Sequence, residues 1–205
     1  MVFDTSGQRA APITYYFNNI LIKFIPVYNL IIFKEIKMAT IRQMDMFDLL
    51  KFNNVNMDLL TETFHTNFYG KYLNSYGEYC VVSEDTVSNI QGYLIGKVEG
   101  YKGNDEIKDW HAHVSAVTVA PHFRRQGLAR ALMQYLHEVS IKRHDAYFVD
   151  LFVRPSNKIA VNFYKGLGYD VYRQVKDYYS GDSESPSENA YDMRMSLPKD
   201  PEGLL

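Results

Sequence analysis

The chain is short of several things. Of its 205 residues one is cysteine, one is tryptophan and seven are proline. The lone cysteine, Cys80 in "EYCVVSE", excludes an internal disulfide and reads as a buried, inert thiol in a strand. An excess of positive charge is also missing. Lys and Arg number 22 against 24 Asp and Glu, a net charge of −2. That excludes the basic footprint on which bulk nucleic-acid binding depends. A clean apolar run of about 20 residues, the length of a membrane span, is absent too. The nearest approach, "ITYYFNNILIKFIPVYNLIIFKEIK", is broken by Lys23, Pro26 and three asparagines. What is present is enough for an ordinary core: 46% of residues are hydrophobic and 15% aromatic, which suits one globular domain with an appendage.

The appendage is residues 1–37. Ile, Asn, Tyr, Phe and Lys dominate it, and it shows neither the helical nor the strand period. It lacks the basic start, apolar run and small-residue cleavage site of a secretory signal. The expectation is that it is upstream sequence read as protein or disordered, with Met38 as the working start. A peripheral membrane anchor and a genuine extension are the other readings. Residues 198–205 read as a flexible tail.

From Met38 the pattern is orderly. "ATIRQM" predicts a strand. "DMFDLLKFNNVNMDLLTETF" predicts a helix with Asp45 as N-cap and Met46, Leu49 and Leu50 at helical spacing. "NFYGKYLNSY" predicts another short helix. "EYCVVSED" and "IQGYLIGKVEG" predict two strands around a turn at Ser88 and Asn89. "WHAHVSAVTVA" predicts a fourth strand and residues 126–144 a long helix. "AYFVDLFV", apolar on both faces, predicts a central fifth strand. "NKIAVNFYKGL" predicts a helix ended by Gly166 or Gly168. "YDVYRQVKDYY" and "AYDMRMSL" predict a closing pair, joined by the polar loop "SGDSESPSEN", expected to be mobile. The strand–helix–strand crossover over 110–153 requires a parallel pair beside antiparallel neighbours. The expected class is therefore an α/β (α+β) mixed sheet flanked by helices.

The chemistry-bearing stretch is "TVAPHFRRQGLARALMQYL". A strand ends at Val119, a basic turn with one glycine follows, and a helix begins. Helix starts expose unpaired N–H groups and partial positive charge, and Arg124 and Arg125 add to a seat for phosphate. Small residues at Gly127 and Ala129 let the backbone approach the anion. A surface turn with ordinary arginines would leave that clustering unexplained.

"RRQGLA", Arg124 to Ala129, has the form Arg/Gln-x-x-Gly-x-Gly/Ala and resembles the acetyl-CoA pyrophosphate loop of the GNAT N-acetyltransferases. "LLKFNNVNMDLLTETF", "DWHAHVSAVTVAP", "FVDLFVRPSN", "AVNFYKGLGYDVYR", "DYYSGD" and "AYDMR" together resemble the catalytic subunit of NatB-type N-terminal acetyltransferases, from Met38 to about Leu197. The resemblance implies a GNAT fold of about seven strands in a domain spanning 38–197. It implies acetyl transfer from acetyl-CoA to the α-amino group of chains starting Met-Asp, Met-Glu, Met-Asn or Met-Gln. It also implies a helical-repeat auxiliary subunit, nascent chains at the ribosome, and the cytoplasm, with neither sequence-specific nucleic acid nor membrane as partner.

On the same resemblance, Arg124, Arg125, Gln126, Gly127, Leu128 and Ala129 hold the cofactor. The backbone of Val117 to Val119 stabilises the thioester oxygen, and Asn157, an N-cap by its own chemistry, touches the cofactor arm. Tyr164 is the candidate general acid; otherwise it is helix-packing aromatic surface. His111 and His113 share a strand face. No further ligand completes a metal site, so no metal is expected. His111 reads as structural, while His113 matches the position that meets the substrate's second residue, as hydrogen-bond donor or as proton relay. Glu62 and Phe64 line the peptide site, although Glu62 reads equally as a solvated loop carboxylate or helix cap; Phe64 replaces a frequent tyrosine, which puts any hydroxyl role in doubt. Tyr178 and Tyr179 cover the peptide backbone; otherwise they are a cross-strand aromatic pair. Two alternatives remain: an acetyltransferase of other N-terminal or lysine specificity, and a non-catalytic CoA-binding subunit.

Overall fold

The computed structural model describes residues 13–17, 20–25, 29–34, 39–57, 61–102, 107–181 and 186–203. They divide into two compact units: Met1–Leu94 with Val117–Leu132, and Ile95–Ala116 with Met133–Leu205.

The first unit opens with β1 (Ile13–Phe17), β2 (Ile20–Ile25) and β3 (Asn29–Lys34), an antiparallel meander whose last strand pairs with β4 (Ala39–Gln43). The helix expected from Asp45 is not formed as one piece. A 3-10 turn, Met46–Leu50, is followed by one helical turn, α1 (Asn53–Asn56). Asp45 does cap, in a reciprocal box with Asp48. Asp48 then turns inward to Arg42, which grips its two carboxyl oxygens at 2.7 and 2.8 Å and Glu84 at 2.8 Å. Burial pushes the Asp48 carboxyl up, but the bonds from Arg42 and the Asp45 N–H outweigh it and hold it below the usual range. Satisfying this buried acid ends the turn at Lys51, and Met46 and Leu50 are left exposed rather than packed.

Next come α2 (Thr66–Ser75), β5 (Cys80–Glu84) and β6 (Ile90–Lys102). The unit's core forms around Phe52, Tyr69 and Tyr93, whose rings lie 4.8–6.5 Å apart, with Val55, Tyr79, Val81 and Val82 fully buried. Cys80 is buried, as its strand setting predicts. Strand β7 (Ile107–Val119) and helix α3 (Leu128–His144) run on into the second unit, as does β6. Sheet neighbours in the first unit are β1-β2-β3-β4-β5-β6-β7.

In the second unit, β7 is followed by β8 (Phe148–Val153), α4 (Lys158–Lys165), β9 (Asp170–Tyr179) and β10 (Glu188–Ser196). Neighbours run β6-β7-β8-β10-β9, so β10 inserts between β8 and β9. The β7–β8 pair is parallel, with His113 opposite Asp150, and β10 is antiparallel to both its neighbours. Strand β8 is buried on both faces, as expected of a central strand. Helix α4 is capped by Asn157, whose side-chain Oδ1 accepts from the Ala160 N–H at 3.1 Å. It ends through Gly168, which takes the left-handed φ of 98°. Residues 182–185 of the expected mobile loop lie outside the described residues.

Candidate active site

In the first unit the site is built on the end of β7. Thr118 and Val119 are buried, and Ala120 N–H donates to the Gln91 carbonyl at 2.9 Å. Gly92 permits this approach. A Cβ there would sit 2.6 Å from the Thr118 carbonyl oxygen and 3.1 Å from a Val119 methyl. The turn that follows bends through Arg125 (φ 62°) and Gly127 (φ 82°). A non-glycine residue in that region costs about 1–2 kcal/mol, and such a backbone is the kind whose N–H groups converge on an anion. The Gly127 carbonyl accepts the Ala131 N–H at 3.0 Å, so glycine immediately precedes α3. No side chain at Gly127 competes for the first N–H groups of the helix.

Arg124 behaves differently from a simple phosphate ligand. Its Nε donates to the Val119 carbonyl at 3.0 Å, bracing the turn against the strand it leaves. Arg125 is exposed, Gln126 and Ala129 are half-buried and Leu128 is buried. The segment carrying Glu62 and Phe64 is fastened to the same strand, because the Thr61 and Thr118 hydroxyls meet at 2.8 Å. Phe64 stacks on Phe68, with ring centroids 4.1 Å apart, and its N–H donates to the Tyr69 hydroxyl at 3.3 Å. Glu62 is exposed.

In the second unit, His113 is half-buried and its Nδ1 lies 2.8 Å from Asp150 Oδ1. Its ring leans on Phe152 at 5.6 Å, Phe152 stacks on Tyr178 at 4.5 Å, and Tyr178 meets Tyr179 edge-on at 5.0 Å. The Arg154 guanidinium lies 3.9 Å over the Tyr179 ring and reaches Glu188 at 3.3 Å. The β9–β10 register slips just before these tyrosines, at Asp177, which takes φ 50°. A bulge of this kind re-aims the side chains that follow it. The structure therefore joins His113, Tyr178 and Tyr179 into one aromatic wall. The residues completing it, Asp150, Phe152 and Arg154, are ones sequence reasoning missed. The available signal was Asp150, a charge inside an otherwise apolar central strand.

His111 stacks on Phe148 at 4.6 Å and 11°, with Glu99 3.6 Å from its Nε2. Among the described residues, no group of three or more His, Cys, Asp and Glu side chains stands ready for a metal. Tyr164 is buried in the packed face of α4, against Phe163 and Tyr169. Burial holds its phenol well above the ordinary tyrosine value, so the O–H keeps its proton. It can donate a hydrogen bond to a thiolate. Asn157 spends its side-chain oxygen as the N-cap.

Among the described residues, a mixed sheet with a parallel strand pair and a strand that runs through a glycine turn into a helix is an arrangement suited to seating a phosphate-bearing cofactor. The comparisons agree. Residues 44–169 match the acetyltransferase (GNAT) family. N-alpha-acetyltransferase 20 of Dictyostelium discoideum is 52% identical over 80% of this chain and 90% of its own. The N-terminal acetyltransferase B complex catalytic subunit naa20 of Schizosaccharomyces pombe is 49% identical over 80% and 88%. Among solved structures, Chaetomium thermophilum Naa20 in complex with a bisubstrate analogue is 43% identical. It has a TM-score of 0.72 and covers 78% of this chain and 88% of its own. The NatB acetyltransferase complex bound to CoA and MES has 38% identity and a TM-score of 0.68, covering 77% and 99%. The chain belongs to the GNAT acetyltransferase family, among the catalytic subunits of NatB-type N-terminal acetyltransferases.

Proposed function

We propose that the chain transfers acetyl from acetyl-CoA to the α-amino group of polypeptides beginning Met-Asp, Met-Glu, Met-Asn or Met-Gln. The observation that carries the substrate reading is the wall of His113, Phe152, Tyr178 and Tyr179, which sets one titratable nitrogen among aromatic surfaces. Aromatic faces suit a peptide backbone and an apolar first residue, and an imidazole suits an acidic or amide second one.

The roles divide as the chemistry requires. An α-amino group has a pKa of about 8, so a useful fraction is neutral near pH 7 and no strong base is needed. The enzyme must position the amine, stabilise the developing oxyanion and protect the departing thiolate. Main chain at Val117 to Val119 takes the oxyanion role. Tyr164 is the general acid that gives its O–H proton to the departing thiolate. The turn from Arg124 to Ala129 holds the pyrophosphate, Asn157 touches the cofactor arm as well as capping α4, and Glu62 and Phe64 border the methionine. The catalytic domain is 38–197, with 1–37 an extension and 198–205 a tail.

The partner is a helical-repeat auxiliary subunit, and the setting is the cytoplasm, at the ribosome. The contact surface is the exposed apolar group Met46, Phe47, Leu50 and Met57, which are 52–82% exposed. Among the described residues no helix is long and apolar enough to cross a membrane. The test is acetyl transfer to peptides beginning Met-Asp, Met-Leu and Ser-Glu and to one bearing an internal lysine, with and without the auxiliary subunit. Preference for Met-Asp is expected. Turnover of the lysine peptide alone, or CoA binding without any turnover, would contradict the proposal.

A further inference from the structure

Asp150 is a carboxyl group in the middle of the central strand β8, buried to 7% exposure between apolar neighbours. A buried carboxyl is costly unless something partners it. Its partner is Nδ1 of His113, 2.8 Å away, on the directly opposed residue of the parallel neighbour β7. Two residues facing each other across adjacent strands cannot drift apart without breaking the ladder, so the contact is set by register. The His113 ring is also held from the side by Phe152.

A carboxylate oxygen only accepts. We propose that Asp150 is a positioning residue that keeps the His113 proton on Nδ1, so that Nε2 is the nitrogen that meets the substrate's second residue. The hydrogen bond made by one ring nitrogen sets the state of the other. With one proton on the ring, Nε2 presents a lone pair and accepts from the side-chain amide of Asn or Gln. With two, Nε2 donates to the carboxylate of Asp or Glu. One ring then accommodates both substrate classes through a single proton at Nε2, while Nδ1 and the ring plane stay fixed. This sharpens the expectation that His113 simply donates: donation from Nε2 requires the doubly protonated ring. The inference rests on the proposed reading role of His113.

The test combines a spectroscopic and a kinetic readout on the full chain. In the histidine 15N spectrum, assigned by the signals lost in H113Q, the singly protonated ring should carry its proton on Nδ1. In D150N, a near-isosteric change, that preference should weaken or reverse. In a double-mutant cycle of D150N with H113A, D150N alone should reduce Met-Asp over Met-Leu selectivity about tenfold, the scale of one charge-assisted hydrogen bond. In the H113A background it should cost no further selectivity, because Asp150 acts only through His113. A wild-type ring protonated on Nε2 would overturn the assignment, as would additive losses in the cycle. Absence of Met-Asp preference in the wild type would instead sink the substrate reading, with the 15N result still deciding the role of Asp150.

Discussion

Replacing Gly92 by alanine adds a single methyl group where β6 passes close against the end of β7. The new Cβ would lie 2.6 Å from the Thr118 carbonyl oxygen, 3.1 Å from a Val119 methyl and 3.2 Å from the Val119 Cα. Two of those three atoms are backbone, so no flexible side chain can swing aside. The strands must separate locally, which strains the bond from Ala120 N–H to the Gln91 carbonyl. Overpacking of this kind costs about 1–3 kcal/mol. For a chain of this size each kcal/mol lowers Tm by about 2–4 °C. The displaced atoms belong to Thr118 and Val119, the main chain assigned to the oxyanion, and Arg124 hangs from the Val119 carbonyl. Misplacement approaching 1 Å can cost about a hundredfold in rate. Thermal unfolding together with steady-state kinetics on a Met-Asp peptide should show a lower Tm and a kcat reduced about ten- to a hundredfold. Alanine at 92 with wild-type kcat and a lowered Tm would show that the end of β7 is not where the acyl group reacts. An unchanged Tm would refute the packing argument itself.

Tyr164→Phe should lower kcat about ten- to a hundredfold, the value of a hydrogen bond to a charged group, with little change in acetyl-CoA affinity by calorimetry. Equal rates for the two forms would remove Tyr164 from the chemistry. His137 bonds the Tyr169 hydroxyl at 2.8 Å, and burial depresses its pKa from 6.5 to about 4. The unfolded chain therefore takes up this proton first as pH falls. The contribution is full above about pH 6.5 and is lost on descending toward pH 4, up to about 3 kcal/mol at 1.4 kcal/mol per unit. Denaturant unfolding across that range should show the decline, and His137→Gln should flatten it.

Much of the architecture was legible because it is local. Strand and helix periods from β5 to β10, the caps at Asp45 and Asn157 and the parallel crossover all follow from short-range pattern. The broken helix after Asp45 was not legible. Its cause is Asp48 turning inward to Arg42 and Glu84, one on the strand before it and one on β5, and spacing within the segment cannot reveal that. The place of β10 between β8 and β9 is likewise a choice of partner that neither strand's own pattern encodes. Of the site, the glycine turn was readable from its place between a strand and a helix, whereas the roles expected of His113 and Tyr164 came through resemblance. Asp150 and Phe152 went unread because, inside an apolar strand, a lone acid and a phenylalanine look like an irregularity and a core residue. Only the register opposing Asp150 to His113 shows which side chain the acid meets. Arg124 was read as a phosphate ligand, and its bond to the Val119 carbonyl adds a bracing role that residue type cannot disclose.

The role of His113 is decided most directly by kcat/KM for Met-Asp and Met-Leu peptides in the wild-type chain and in His113→Ala, with acetyl-CoA and the auxiliary subunit present. The wild type should strongly prefer Met-Asp, and the preference should largely collapse in the variant while turnover of Met-Leu survives. Full Met-Asp preference without the imidazole would remove His113 as the reader of the second residue.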